Sequence, residues 1–326
     1  MRKLYPLIAF AVLSVTSCGQ RPGGSSAVSD GPASTECHRF PVCRVPSICS
    51  EDSEIASYML SHYWDAYFAE GGVTDTAAVN GVPKREVEQA FADFTVLLEN
   101  SPMEDARAAM AGLFDSISAV QDRDTSSLQY LILTEMVADY LYDPNSPMRN
   151  EDYYLPFVQK LAESPHTDSA RRIGYRRQAQ LCAMNPYGSV APDFVFKDVR
   201  GRRHRLSDLE DDYVLLFFSN PGCEACKEII DEIEASGFAE AAIAAGSLAV
   251  VSIYIDEEVD EWKAYEPNYP RSWITGYDPD LVIRDNQMYN VRAIPSLYLL
   301  GPGRKVLLKD APTGKALATL RNKLIQ

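Results

Sequence analysis

Tyr213-Val214-Leu215-Leu216-Phe217-Phe218-Ser219-Asn220-Pro221-Gly222-Cys223-Glu224-Ala225-Cys226 is the stretch on which the reading of this chain turns. The apolar run Tyr213 to Phe218 has the length of a buried strand, and Asn220-Pro221-Gly222 supplies turn residues. A helix is expected from Cys223 to about residue 236. Two thiols therefore stand three residues apart where a strand turns into a helix. The first sulfur would lie beside unpaired N–H groups at the positive end of the helix, which favours its thiolate. The second lies one turn on, close enough to attack a mixed disulfide formed by the first. Dithiol–disulfide exchange needs that pairing of an exposed attacking sulfur with a resolving one. Zinc ribbons and structural bridges also use C-x-x-C. Zinc requires a second ligand pair, and none follows: the later candidate ligands are carboxylates, and the nearest His, His204, is upstream on an expected hairpin. Cys223 and Cys226 are thus expected to be a redox pair, with no metal and no cofactor.

On either side of this stretch the pattern is that of an α/β layer. Ala191-Pro192-Asp193-Phe194 opens a polar hairpin containing Gly201. Strands are expected at Leu248 to Ile255, Leu297 to Leu300 and Lys305 to Leu308, with a helix near 257–265 and a last helix from Pro312. Strands alternating with helices require crossover connections. This second domain spans 190–326.

Residues 37–185 read differently. Ile55, Met59, Leu60, Tyr63 and Tyr67 fall on one helical face, as do Val87, Phe91, Phe94 and Leu98. Further helices fit 103–119, 126–142, 150–163 and 168–184. Gly71-Gly72, Asn100-Ser101-Pro102 and Asp143-Pro144-Asn145-Ser146-Pro147 separate them with turn and stop residues. The fold class is therefore α plus α/β, a helical N-terminal domain followed by the α/β domain, in a chain of 326 residues. The aromatic stripes (Tyr63, Trp64, Tyr67 and Phe68; Tyr140 and Tyr142) suit either a ligand groove or the helical core, and core packing is the expected use.

The first residues carry Arg2 and Lys3, an apolar run from Leu4 to Val15, and the small residues Thr16 and Ser17 before Cys18. The run is too short to span a bilayer and reads as an export signal over 1–17. Residues 18–36, rich in Gly, Ser and Pro, describe a flexible tether. A net charge of −15 disfavours nucleic acid and anionic lipid surfaces as partners.

Val15-Thr16-Ser17-Cys18 resembles the lipobox of bacterial lipoproteins, which implies lipid attachment at Cys18 and anchoring without a transmembrane helix. The absence of Asp after Cys18 implies the outer membrane, facing the periplasm. Phe217-Phe218 before the cysteines, with Val291-Arg292-Ala293-Ile294-Pro295-Ser296-Leu297 about seventy residues later, resembles thioredoxin. The resemblance implies a cis Ile294–Pro295 bond facing the active disulfide and positioning substrate. The opening Ala191-Pro192-Asp193-Phe194 is similar to the branch holding tethered periplasmic thiol-disulfide oxidoreductases and peroxiredoxins. Phe40-Pro41 through His62-Tyr63-Trp64-Asp65, Leu141-Tyr142 through Pro147, and Phe217 through Cys226 resemble a family of bacterial lipoproteins that joins an uncharacterised helical domain to a thioredoxin-like one. The family implies a lipid-anchored thiol-disulfide oxidoreductase acting on protein thiol clients, re-reduced by a membrane or periplasmic electron donor.

The chain departs from the thioredoxin pattern at two positions. Gly222 stands where thioredoxin has Trp, and Phe217 where it has a buried Asp, so no proton acceptor for Cys226 is identified. Ile229 replaces the Glu of the tethered reductases. Glu224 should oppose ionisation of Cys223 and favour a reducing poise. Cys37, Cys43, Cys49 and Cys182 are candidates for structural disulfides, one of them tying the segment before the first helix to Cys182. Two other functions stay open: a scaffold whose helical domain binds an envelope partner, and a thiol peroxidase. Asn220 stands where peroxiredoxins carry Thr or Ser three residues before the cysteine, which disfavours the last.

Overall fold

The computed structural model describes residues 37–325. The expected signal at 1–17, the tether at 18–36 and Cys18 lie outside the described residues.

The N-terminal half is helical: α1 (Asp52–His62), α2 (Asp65–Glu70), α3 (Lys84–Glu99), α4 (Met103–Arg123), α5 (Gln129–Leu141), α6 (Glu151–Glu163) and α7 (Ser169–Cys182). Their starts are written in the sequence. Asn150 accepts from the amides of Asp152 and Tyr153, and Asp168 from those of Ala170 and Arg171, so each caps orphan donors of its helix. Of the aromatic stripes, Trp64 and Tyr67 are buried, while Tyr63, Phe68, Tyr140 and Tyr142 are partly buried against the same core; Phe91, Phe94 and Phe157 fill it, and Phe40 stacks on Tyr67 at 5.3 Å. One short hairpin, β1 (Ala78–Val79) and β2 (Val82–Pro83), falls between α2 and α3. Its turn is Asn80-Gly81, both at positive φ, a hairpin signal that the helical reading passed over.

The second domain contains β3 (Val195–Lys197), β4 (Arg203–Arg205), β5 (Tyr213–Phe218), α8 (Glu224–Ala235), α9 (Phe238–Ala244), β6 (Leu248–Tyr254), α10 (Val259–Tyr265), β7 (Ile274–Tyr277), α11 (Val282–Asp285), β8 (Ser296–Gly301), β9 (Lys305–Leu308) and α12 (Thr313–Ile325). Seven strands form one mixed sheet in the order β4-β3-β7-β6-β5-β8-β9. The central pairs β5–β6 and β6–β7 are parallel, while β8 runs antiparallel to β5. Side chains of β5 alternate between two cores. Val214, Leu216 and Phe218 face one cluster with Tyr289 and Tyr298; Leu215 and Phe217 face the other with Cys226, Ile230, Ala316 and Leu320. This is the thioredoxin-like fold behind a helical domain.

Three elements of this domain were not anticipated: β7, α9 and the four-residue α11. The strand β7 is short and carries Gly276, which reads as a breaker in sequence. The structure requires glycine there, since a Cβ would come within 2.4 Å of the Phe196 ring. The helix α9 is split from α8 by Gly237 at φ +57. Among the described residues no helix is long and apolar enough to cross a membrane.

Candidate active site

The central strand β5 delivers the chain to the site, and Gly222 makes the last bend at φ +68. That left-handed conformation costs an L-residue about 1–2 kcal/mol, so the glycine that replaces the Trp of thioredoxin fits a turn of this shape. Cys223 is the N-cap of α8, and its Sγ accepts a hydrogen bond from the amide of Cys226 at 3.1 Å. Donation from the first turn, together with the helix dipole, stabilises negative charge on this sulfur. Cys223 and Cys226 are disulfide-bonded, with Cα atoms 5.2 Å apart. Cys223 is half-buried, whereas Cys226 is 3% exposed, so only the first sulfur is open to a large reactant.

Pairing of β5 with β8 sets Phe218 opposite Ser296, so the Ile294-Pro295 segment enters β8 beside the strand end that leads to Cys223. The Ile294–Pro295 peptide is cis, as the resemblance to thioredoxin implies. Ile294 packs against both cores of the domain, and Cys223 against the one that holds Cys226. The turn before Cys223 is held from the bend after β6: the Asn220 amide donates to Asp256 Oδ2 at 2.9 Å, and Arg284 lies 3.6 Å from Asp256.

The position of the buried acid of thioredoxin is filled by Phe217, fully buried and edge-on to Trp273 at 6.2 Å. On the same face of the sheet, a chain of hydroxyls follows it. Ser219 Oγ is 2.8 Å from both Ser252 Oγ and Tyr269 Oη, and all three residues are buried. Burial pushes the Tyr269 phenol up, partly offset by its bonds with the two serines. Sequence reasoning missed this cluster. Ser252 interrupts an otherwise apolar strand one register step across from Phe217, which was its only trace.

The remaining cysteines require a correction. Cys37, Cys43, Cys49 and Cys182 are free thiols, and the expected bridge to Cys182 is not formed. Cys182 ends α7 with its side chain fully buried in the helical core, and burial first, then the nearby Glu151 charge, pushes its thiol well above the ordinary range. Among the described residues no cluster of His, Cys, Asp and Glu could hold a metal ion.

A family model described as a domain of unknown function, DUF5106, matches residues 17–185, and one described as the AhpC/TSA family matches residues 187–307. The chain is 30% identical over 124 residues to thiol-disulfide oxidoreductase ResA of Bacillus subtilis, covering 37% of this chain and 64% of that protein. It is similar to the crystal structure of a thioredoxin-like protein from Bacteroides caccae, with 34% identity, 87% of this chain and 98% of that one covered, and a TM-score of 0.70. A second solved structure, the C-terminal domain of an uncharacterized protein from Bacteroides fragilis, is 42% identical over 42% of this chain and 98% of its own, with a TM-score of 0.41.

Proposed function

The chain belongs to the DUF5106 family, its second domain has the thioredoxin-like fold of thiol-disulfide oxidoreductases, and we propose that it reduces protein disulfides outside the cytoplasm. The observation that carries the reading is the pair itself: a half-exposed Cys223 at a helix N-terminus, its sulfur accepting an amide hydrogen bond, linked to a buried Cys226.

In the dithiol state the Cys223 thiolate attacks a client disulfide. The client S–S bond breaks, a Cys223–client mixed disulfide forms, and one client sulfur leaves as a thiolate that takes a proton from solvent. Cys226, once deprotonated, attacks Cys223 Sγ. The second client thiol is released and the Cys223–Cys226 disulfide is restored, so two electrons pass to the client. A dithiol donor of the membrane or periplasm resets the pair. The Ile294–Pro295 edge presents backbone against which the client chain pairs. Glu224 disfavours the thiolate and gives a reducing poise, near the roughly −270 mV of thioredoxin. Cys18 carries the lipid, residues 18–36 are the tether, and the outer membrane is the site of attachment, facing the periplasm. The export signal read in residues 1–17 supports this placement.

Insulin reduction by the full chain tests the reading. Activity is expected in the parent chain and lost in Cys223→Ser, while Cys226→Ala should accumulate mixed disulfides whose captured protein names the client. Equal turnover in Cys223→Ser overturns the proposal. The match to the AhpC/TSA model favours a second reading, a thiol peroxidase. It is the weaker one because Asn220, in the place of the peroxidase hydroxyl, is engaged with Asp256. Peroxide consumption dependent on Cys223 would support it.

A further inference from the structure

We propose that the helical domain positions the client-binding edge of the active site, with Glu151 as the residue through which it does so. The proposal rests on the thiol-disulfide reading above. The segment that runs from α11 into Pro295 is bonded within its own domain through Tyr289 and the Asn290 carbonyl, and across the domain seam through Asn290 and Arg292. Glu151, the first residue of α6, is 2% exposed and accepts both hydrogen bonds of the Asn290 amide, at 2.8 and 2.9 Å. Its Oε1 also lies 3.0 Å from Arg292 Nε. Arg292 then reaches further into the helical domain, donating to the Tyr142 carbonyl at 2.8 Å, with its guanidinium 4.2 Å from the Tyr142 ring centroid. Its remaining nitrogen donates to Asp310 at 3.0 Å.

Arg292 stands three residues before Pro295, at most about 10 Å of chain. A side chain fixed at the guanidinium by a carboxylate, a carbonyl, a ring and a second carboxylate leaves that short chain little freedom. Charge explains why the fixing is specific. Glu151 also lies 3.7 Å from Lys309, whose side chain is 1% exposed and donates to the Met184 carbonyl at 2.8 Å. Buried ion pairs contribute little net stability against apolar packing of the same volume, but they demand one geometry. The cluster therefore acts on where the loop sits more than on whether the protein folds. Tyr142 closes α5 as its C-cap, directly before the Asp143-to-Pro147 stretch that interrupts the helices in the sequence.

The test compares two reactions of the full chain. One is exchange with a disulfide-bonded peptide, which needs the Pro295 edge. The other is alkylation of reduced Cys223 by iodoacetamide, which does not. Glu151→Gln should raise the KM for the peptide about tenfold with kcat nearly unchanged. It should leave the alkylation rate and the reduction potential at parent values. Amide hydrogen exchange at Ile294 and Ser296 should speed up in the same variant. Tyr142→Leu, which keeps every charge and the backbone acceptor, should show the same split at about threefold. Arg292→Lys should restore part of the loss seen in Arg292→Ala. Equal effects on both reactions, or unchanged exchange at Ile294 and Ser296, would overturn positioning and leave only a structural seam. A parent chain that alkylates but never exchanges with the peptide would instead overturn the oxidoreductase reading.

Discussion

Glu224 separates the two cysteines and is exposed, so its charge acts on Cys223 through water as well as through protein. The Cys226 amide and the dipole of α8 act on the same sulfur in the opposite sense. Removing the carboxylate leaves the stabilising groups alone, so the thiolate and with it the dithiol form gain. Glu224→Gln should therefore raise the reduction potential by about 10–20 mV, the size of a solvent-screened charge interaction. Equilibration with glutathione buffers reads the shift, and a more negative potential would contradict it. At the same scale, Phe217 explains why the sequence offered no proton acceptor beneath Cys226. The acid position is apolar, and the polar groups on that face are the hydroxyls of Ser219 just past β5, Ser252 in β6 and Tyr269 in the segment after α10.

The elements that frame the site are set by local chemistry that can be perturbed one at a time. The hairpin β3–β4 turns on Asp198, which accepts from the amides of Arg200 and Arg202 and from Arg202 Nε, with His204 at 3.3 Å. Burial opposes its ionisation, yet the Arg202 and His204 bonds prevail and hold it at about 2. A folded-state value below the unfolded one contributes stability above pH about 4, lost as pH falls through about 2. The stability advantage of the parent over Asp198→Asn, read by urea denaturation, should accordingly shrink between those values. An advantage that grows on acidification would be inconsistent with this account. In α6, Pro156 has no amide to offer the Asp152 carbonyl. Arg107 of α4 takes that place, donating to the carbonyl at 3.3 Å while its Nη2 pairs with the Asp152 carboxylate at 2.5 Å. The proline thus binds two helices together instead of breaking one.

Across the molecule, the first turn of α6 joins the two domains. Glu151 enters the charge cluster with Arg292 and Lys309, and the neighbouring Asp152 accepts from the amide of Tyr187, where the chain crosses to the second domain. Both carboxylates sit at a helix N-terminus, where negative charge is favoured. Lys315 of α12 adds a bond to Glu99 of α3 at 2.6 Å and lies 5.6 Å from the Tyr153 ring. Unfolding one domain would break this whole set of buried hydrogen bonds and ion pairs at once, so each domain holds its seam only while the other is folded. The described chain should therefore unfold in one calorimetric transition with equal calorimetric and van't Hoff enthalpies. Two resolved transitions would show that the seam is weaker than its burial implies.

The sequence by itself determined the two fold classes, the helix starts at Asn150 and Asp168, the strand-to-helix turn that presents Cys223, and the proline at the head of β8. Each follows from periodicity, capping or turn chemistry within a dozen residues, because the forces involved are local. It did not reveal β7, whose glycine is explained only by the Phe196 ring against it. Nor did it reveal the hydroxyl chain of Ser219, Ser252 and Tyr269, or that Cys182 is buried without a partner. Glu151, Asn290 and Lys309 looked like ordinary surface residues, since polar side chains are mostly exposed. Their burial depends on partners 139 and 127 positions away in the chain, Asn290 on Glu151 and Lys309 on the Cys182 carbonyl. Only the packed tertiary structure brings such groups together, because a buried charge is tolerated where its counter-charge and hydrogen bonds are already in place.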